Sequence, residues 1–367
     1  MSYKIHMNGR DIQQQNYKND VTIVIITHYR HKYLKRAFDY YSDCGIKILV
    51  ADSTNVAYKK KLPENVIYYH SPDYNPIIKI SEIMKFVSTK YTVICADDDF
   101  TSVSAILRCV KFLNQNKDYT SAQGNYIFFK YEKNKLNEFP LGIENYKCDI
   151  KDDNIELRLK RSFNPYVHLS FPVIKTTVLK RLYSDYRKNE MIKSACLYDI
   201  LPSMYTVISG KHFSLPVFFS AREDVRNSEG DIQIPYKIDK IALTANGRKD
   251  IQLLISMASK YLMDVSGMKY KDCERIIHGF IYNDCIPFFR KAYHVPIYKK
   301  VFSILKAFLP EFIMKIKRKI FKQISNEERY KNKIEKTKEL EGFPFFQKDA
   351  EWERMKELIF KHDIKSW

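Results

Sequence analysis

Val21 to Thr27 (VTIVIIT) is an unbroken, mostly β-branched run, the pattern of a strand buried on both faces of a parallel sheet. Lys32 to Ser42 follows with Leu34, Ala37, Phe38 and Tyr41 on one helical face, and Gly45 is read as its stop. Ile46 to Ala51 (IKILVA) predicts a second buried strand ending at Asp52 and Ser53, and Val66 to His70 a third. Pro76 opens a helix in which Ile77, Ile80, Ile83, Met84 and Val87 recur at helical spacing. Tyr91 to Ala96 (YTVICA) is a fourth strand that runs straight into Asp97, Asp98 and Asp99, with a helix expected from Val103 to Asn114. Strands alternating with helices predict an α/β domain with a mainly parallel sheet. Ligands of such sheets bind beyond the carboxyl ends of the strands. Thr27, Asp52 and the Asp97 to Asp99 triplet all fall there, so three polar features converge on one sheet edge.

Beyond Tyr119 the periodicity loosens. Gln123 to Tyr131 is expected to form strands, and Glu132 to Asp153 a polar, exposed excursion. Helices are expected near Thr176 to Tyr183 and Arg187 to Tyr198, and from about Ile238 to the end. No internal repeat is present.

Composition narrows the class. The chain has 367 residues, 45% of them apolar, with 10 Gly and 13 Pro, so it can bury a sizeable core and is neither fibrous nor disordered. Its 7 cysteines are scattered without a CxxC, which argues against a disulfide framework or a zinc site and for a reducing compartment. Met1 to Asp20 lacks the apolar core of a secretion signal, and no apolar run reaches the roughly 18 residues of a membrane-spanning helix. The net charge of +19 points to polyanionic partners: nucleic acid, anionic lipid or phosphorylated substrates.

Three consecutive carboxylates after a buried strand repel one another unless a cation occupies them. A hard cation such as Mg²⁺ or Mn²⁺ takes oxygen ligands and completes its shell with substrate phosphates. The competing reading is a solvated acidic turn that caps the next helix. Asp52 is placed to accept hydrogen bonds from a base or ribose, or to cap the following turn.

At these residues the chain resembles family 2-type glycosyltransferases of the GT-A fold, the kind that builds bacterial surface glycans. The matching features are Thr27, His28, Tyr29 and Arg30 after the first strand, Leu34 and Arg36 in the next helix, Asp52 in VADST, and Ala96 to Phe100 (ADDDF) as the family's DxD motif. The resemblance covers about Val21 to Leu113. It implies a nucleotide-sugar donor bound by Thr27, Tyr29, Arg30, Asp52, Asp97, Asp98 and Arg222. It implies a metal held by Asp99 first and Asp97 second, and an inverting transfer in which the metal neutralises the departing diphosphate. The family's general base lies roughly a hundred residues further on. The best match is Asp199 in CLYDILPS, where Tyr198 stands in place of the usual acidic neighbour, with Glu223 and Asp224 as substitutes. The family's Q/R-x-x-R-W-like segment is missing. Arg222 and Arg226 are the candidates for its diphosphate role, and His168 and His212 for acceptor or metal contacts, although a lone histidine is more often structural.

Ile297 to Phe321 carries an apolar stripe (Val301, Leu305, Phe308, Phe312, Ile316, Ile320) among lysines, with Pro310 dividing it. From Arg290 to Lys333 there are 13 Lys or Arg against 3 Asp or Glu, a local net of +10. A basic amphipathic helix of this kind suits an anionic membrane surface, and the competing reading packs the stripe on the catalytic domain. Nucleic acid is not expected, since no binding motif accompanies the charge. The final segment, with Phe343, Phe345, Phe346 and Trp352, is expected to fold back on the body or onto a second copy of the chain. The organisation predicted is a GT-A catalytic domain over 17–230, a helical region over 231–292 and a basic amphipathic region over 293–367. The expected activity is metal-dependent sugar transfer to a glycan or lipid-linked acceptor in capsule or lipopolysaccharide synthesis, at the inner face of the cytoplasmic membrane. A nucleotidyl- or phosphotransferase and a non-catalytic membrane-associated scaffold are the alternatives.

Overall fold

The computed structural model describes residues 17–72, 76–132, 134–140, 148–164, 167–188, 192, 197, 200–225, 242–288 and 349–364. Strands β1 (Val21–Thr27), β2 (Lys47–Asp52), β3 (Val66–His70) and β4 (Tyr91–Ala96) alternate with helices α1 (His31–Tyr41) and α2 (Pro76–Met84). The short β5 (Phe100–Thr101) leads into α3 (Val103–Gln115), and β6 (Tyr119–Glu132) and β7 (Lys135–Pro140) form a hairpin. Then come α4 (Ile155–Arg161), β8 (Val173–Lys175), α5 (Thr176–Lys188), α6 (Ile200–Ser209) and β9 (Lys211–Glu223). Helices α7 (Ala245–Ser266) and α8 (Tyr270–Phe280) follow, α8 continuing into a π-helical turn at Ile281–Cys285. Helix α9 (Ala350–His362) is the last described element.

Among the described residues, nine strands form one mixed sheet in the order β3-β2-β1-β4-β8-β6-β9-β5, with β7 attached to β6. The first four are parallel, and so are β6 and β9; β8 runs antiparallel to both neighbours. Residues of β1 are buried on both sides, which explains its unbroken apolar sequence. Val24 joins Leu49 and Ile94 in a core covered by α2, α5, α6, α7 and α8. Ile23 and Ile25 join Ile48, Val50 and Val93 in a core covered by α1, α3 and α9. Each such side chain contributes roughly 1.5–3 kcal/mol on burial. Gly124 allows β6 and β9 to approach closely: a Cβ there would meet the Val217 carbonyl oxygen at 2.4 Å, beside the register shift around Gln123 and Asn125.

The expected exposed excursion after Glu132 is corrected in part. Lys135–Pro140 pairs along β6, and Cys148 and Ile150 are buried, Ile150 bridging to His212. The polar Asn137 and Glu138 hid a strand that lies at the sheet margin, where such residues are tolerated. Helix α5 runs on to Lys188, past the expected end near Tyr183, and most of the expected helix Arg187 to Tyr198 lies outside the described residues. Strand β9, which carries Arg222 and Glu223, was not predicted; Pro216 and the charged end of the segment obscured it. The six cysteines among the described residues are buried. No helix among them is long and apolar enough to cross a membrane. The basic stripe Ile297 to Phe321 lies outside the described residues, as do Asp199, Arg226, Phe343, Phe345 and Phe346.

Candidate active site

The strand order reverses at β1, which has β2 on one side and β4 on the other. At such a switch point the connections diverge and leave a crevice at the carboxyl ends. Thr27 ends β1, and its hydroxyl donates to Asp97 Oδ2 at 2.5 Å across this crevice. Arg30, at the start of α1, donates to Asp98 Oδ2 at 2.5 Å and stands 3.5 Å from Asp97 Oδ1. Asp99 Oδ1 accepts the Glu223 N–H at 3.1 Å, and its Oδ2 lies 3.4 Å from Arg222 Nε. The triplet, β1, α1 and the end of β9 are thereby brought together.

Burial dominates the electrostatics of two of these carboxyls, with Arg30, Lys79 and Arg222 working against it. Burial pushes Asp97 up to about 8, reinforced by the neighbouring charge of Asp98 and opposed by Arg30. Burial likewise pushes Asp99 up to about 7, opposed by Arg222 and reinforced by Asp98. The donors fit a hard divalent cation by chemistry. Among the described residues no three His, Cys, Asp or Glu side chains converge as a ready-made metal cage. Asp99 and Asp97 are the oxygen donors that could hold such an ion, with phosphate oxygens and water completing its shell.

Tyr29 has φ +54°, a left-handed conformation that costs a bulky residue on the order of 1–3 kcal/mol. Its N–H is held by Thr54 Oγ1 at 2.9 Å, and its ring is 59% exposed at the rim of the crevice. Strain of this kind persists where the surroundings over-determine it, and here it presents an aromatic face to solvent. Asp52 is fully buried and already accepts from Thr54 N at 2.7 Å, His31 Nε2 at 2.7 Å and the Tyr68 hydroxyl. Burial alone would raise this carboxyl, but the hydrogen bonds from Thr54, Tyr68 and His31 hold it below its ordinary value. Asp52 thus organises the β2–β3 end of the crevice.

Two further residues of the site were invisible or unweighted in the sequence. Lys79, on α2, is 4% exposed, and its Nζ donates to the Thr27 carbonyl at 2.7 Å and Ser53 Oγ at 2.9 Å. The available signal was a lysine on the apolar face of α2, four residues before Ile83. Arg36 donates to the Asp98 carbonyl at 2.8 Å and pairs with Glu223 Oε2 at 2.7 Å, both side chains 2% exposed. The Arg36–Glu223 contact is close but lacks hydrogen-bond alignment at Oε2. The Arg36 guanidinium also lies over the rings of Tyr33 and Phe100, at 5.0 and 4.8 Å.

Of the base candidates, Glu223 points into the protein against Arg36, whereas Asp224 is half-buried, its N–H bonded to the Phe129 carbonyl. Arg222 lies over Phe171 at 4.2 Å and Tyr126 at 5.3 Å, one edge toward Asp99. His212 is fully buried, with Nδ1 bonded to Ser121 Oγ at 2.8 Å, and burial drives it down to about 3; it is a neutral core histidine. His168 packs against Phe171, 5.2 Å between ring centroids.

No protein-family model matches the chain, and no curated protein matches it. Among solved structures, S. aureus TarS 1-349 in complex with UDP-GlcNAc is 13% identical with a TM-score of 0.50, over 74% of each chain. The structure of S. aureus TarS 1-349 alone is 12% identical with a TM-score of 0.46, over 77% of each chain. A longer S. aureus TarS structure is 10% identical with a TM-score of 0.43, over 71% of this chain and 43% of that one. The complex with UDP-GlcNAc shares the α/β fold described above: a mixed, largely parallel sheet flanked by helices, as the GT-A resemblance implied.

Proposed function

We propose that this chain is a glycosyltransferase that moves a sugar from a nucleoside diphosphate sugar to a glycan or lipid-linked acceptor. The observation that carries this reading is the acidic triplet at the switch point, bonded across the crevice to Thr27 and Arg30. Burial raises Asp97 and Asp99 above the ordinary carboxyl range. Such a site is relieved by a cation that brings phosphates with it. The shared fold of S. aureus TarS, a GT-A-type glycosyltransferase caught with UDP-GlcNAc, supports a uridine diphosphate sugar as the donor.

In this reading Asp99 and Asp97 hold Mn²⁺ or Mg²⁺, which when bound neutralises the diphosphate leaving group. Tyr29 offers its exposed ring to the base, and Asp52 fixes the crevice wall through Thr54, His31 and Tyr68. Arg30 and Arg222 keep the carboxylates apart and face the phosphates, where planar guanidinium groups suit phosphate oxygens. A carboxylate on the acceptor side, Asp199 first and Asp224 second, takes the proton of the attacking hydroxyl. Inversion, assembly of a surface polysaccharide and peripheral attachment to the inner face of the membrane through the basic stretch 293–348 complete the proposal.

Thermal melting with UDP, GDP and CDP, each with and without Mn²⁺, tests it. Native-state ligands raise the melting temperature by mass action, by about 2.7 kcal/mol of stability at a hundredfold excess over Kd. A rise that needs both nucleotide and Mn²⁺ is expected, followed by slow hydrolysis of the matching nucleotide sugar. No rise with any nucleoside diphosphate would overturn the reading.

A further inference from the structure

We infer that α9 is a built-in clasp of the candidate site, with Glu351 and Ile364 as positioning residues for the acidic triplet; this rests on the proposed donor site. Helix α9 lies far from the site in sequence, yet it touches α1, α3, β6 and β9. Glu351 accepts the Ser104 N–H at 2.8 Å through Oε1 and the Tyr40 hydroxyl at 2.9 Å through Oε2. Ser104 lies in the first turn of α3, the helix that starts directly after the triplet and β5. That turn has one donor satisfied from within, Ala105 N–H by Ser102 Oγ. Glu351 satisfies the next from outside and places a carboxylate at the positive end of the helix. Tyr40 in turn packs edge-on against Phe100, 5.3 Å between centroids, and Phe100 is the residue after Asp99.

The same helix grips the other side. Trp352 is buried between Phe129 and Phe218, 5.9 Å from each ring, so α9 is seated on β6 and β9. Just past its end, Ile364 forms a small buried cluster with Tyr33 and Val225. Tyr33 is the ring beneath Arg36, and its position sets the guanidinium that holds the Asp98 carbonyl and Glu223. Val225 fixes the chain where β9 leaves the site after Glu223 and Asp224. Arg354 to Asp43 at 2.8 Å and His362 to Asp39 at 2.9 Å tie α9 along α1. One helix therefore sets α1, the start of α3 and the end of β9 relative to each other, and the triplet sits among them.

The test uses the full chain with Glu351→Ala, Glu351→Gln and Ile364→Ala; Trp352 is left intact because its loss would empty the core. Cooperative melting and circular dichroism establish that each variant is folded. Hydrogen exchange is then followed at residues 97–106 and 222–225, and UDP affinity is measured by calorimetry with Mn²⁺. Faster exchange confined to those segments is expected in both alanine variants. A UDP Kd weaker by roughly threefold to tenfold is expected with it, the scale of a lost helix cap. Glu351→Gln, which retains an acceptor, should lie between. Unchanged exchange at both segments overturns the clasp, and so does loss of the cooperative melt in the Glu351 variants, which would make the helix core and nothing more. If the wild-type chain binds no UDP, the donor-site reading fails, while the exchange result still decides whether α9 orders the triplet.

Discussion

Arg36 Nη1 and Glu223 Oε2 stand 2.7 Å apart with each side chain 2% exposed, joining α1 to the end of β9 beneath the acidic triplet. Breaking such a pair strands a charge in the interior, which costs roughly 3–5 kcal/mol. Glu223→Leu is therefore expected to lower the unfolding free energy by that amount, seen as a lower urea midpoint at unchanged slope, with Arg36→Met in the same chain recovering a large part. A loss under about 1 kcal/mol would show that the pair is solvated and leave Glu223 open to a catalytic role.

The second prediction concerns pH. Asp99 is raised from 3.8 to about 7 in the folded state, by burial first. A group whose folded value exceeds its unfolded one adds stability in full below the unfolded value, and that stability is lost as pH rises through the folded value. Wild-type stability should thus fall between about pH 4 and pH 7 through this residue. Asp99→Asn keeps an acceptor for the Glu223 N–H and removes the burden. The variant should melt a few degrees higher than wild type at pH 8 and close to it at pH 4, yet lose the Mn²⁺-dependent rise with nucleotide. Melting below wild type at pH 8 would contradict this.

The parallel strands and the place of the triplet were legible because β1 and β4 are buried on both faces, and such strands announce themselves as unbroken apolar runs. β9 was not, since its partners lie on β5 and β6 and its Pro216 and charged end read as a loop. Arg36 carries part of the family likeness, but its partnership with Glu223 depends on two distant segments meeting and leaves no local trace. Lys79 stands beside a stripe of isoleucines, where a charge is ordinarily a solvated flank. Only the fold shows that it lies on the buried side, aimed at the Thr27 carbonyl.

For the base, Asp199→Asn should lower turnover by roughly 10² or more and leave donor affinity nearly unchanged, the pattern of a group that acts on the acceptor proton. Asp224→Asn in parallel provides the comparison. Full turnover in the first variant with a loss in the second would move the role to Asp224.

For the basic stretch 293–348, sedimentation with vesicles is the measurement. Its lysines near an anionic surface are each worth about 1 kcal/mol, screened within roughly 10 Å at 0.1 M salt. The chain should pellet with anionic vesicles at low salt, release as salt rises, and ignore neutral vesicles. Indifference to anionic vesicles at low salt would remove the membrane from the proposal.

The last prediction turns on Lys79. Its buried ammonium lies beside the crevice and holds the Asp97 carboxyl lower than burial alone would set it. Lys79→Met keeps the hydrocarbon stem and removes the charge, so Asp97 should protonate more readily. If Asp97 contributes as a carboxylate to the cation and the diphosphate, Mn²⁺-dependent UDP affinity in the variant should be lost at a higher pH than in wild type. The acid limb of affinity against pH therefore moves toward alkaline, while the two proteins converge at the top of the range. A lysine that merely packs would behave differently, because its loss would loosen the Thr27–Ser53 corner equally at every pH. Calorimetric titrations with UDP and Mn²⁺ between about pH 6 and 9 separate the outcomes: a displaced limb assigns Lys79 to the electrostatics of the site, and a uniform drop assigns it to the scaffold.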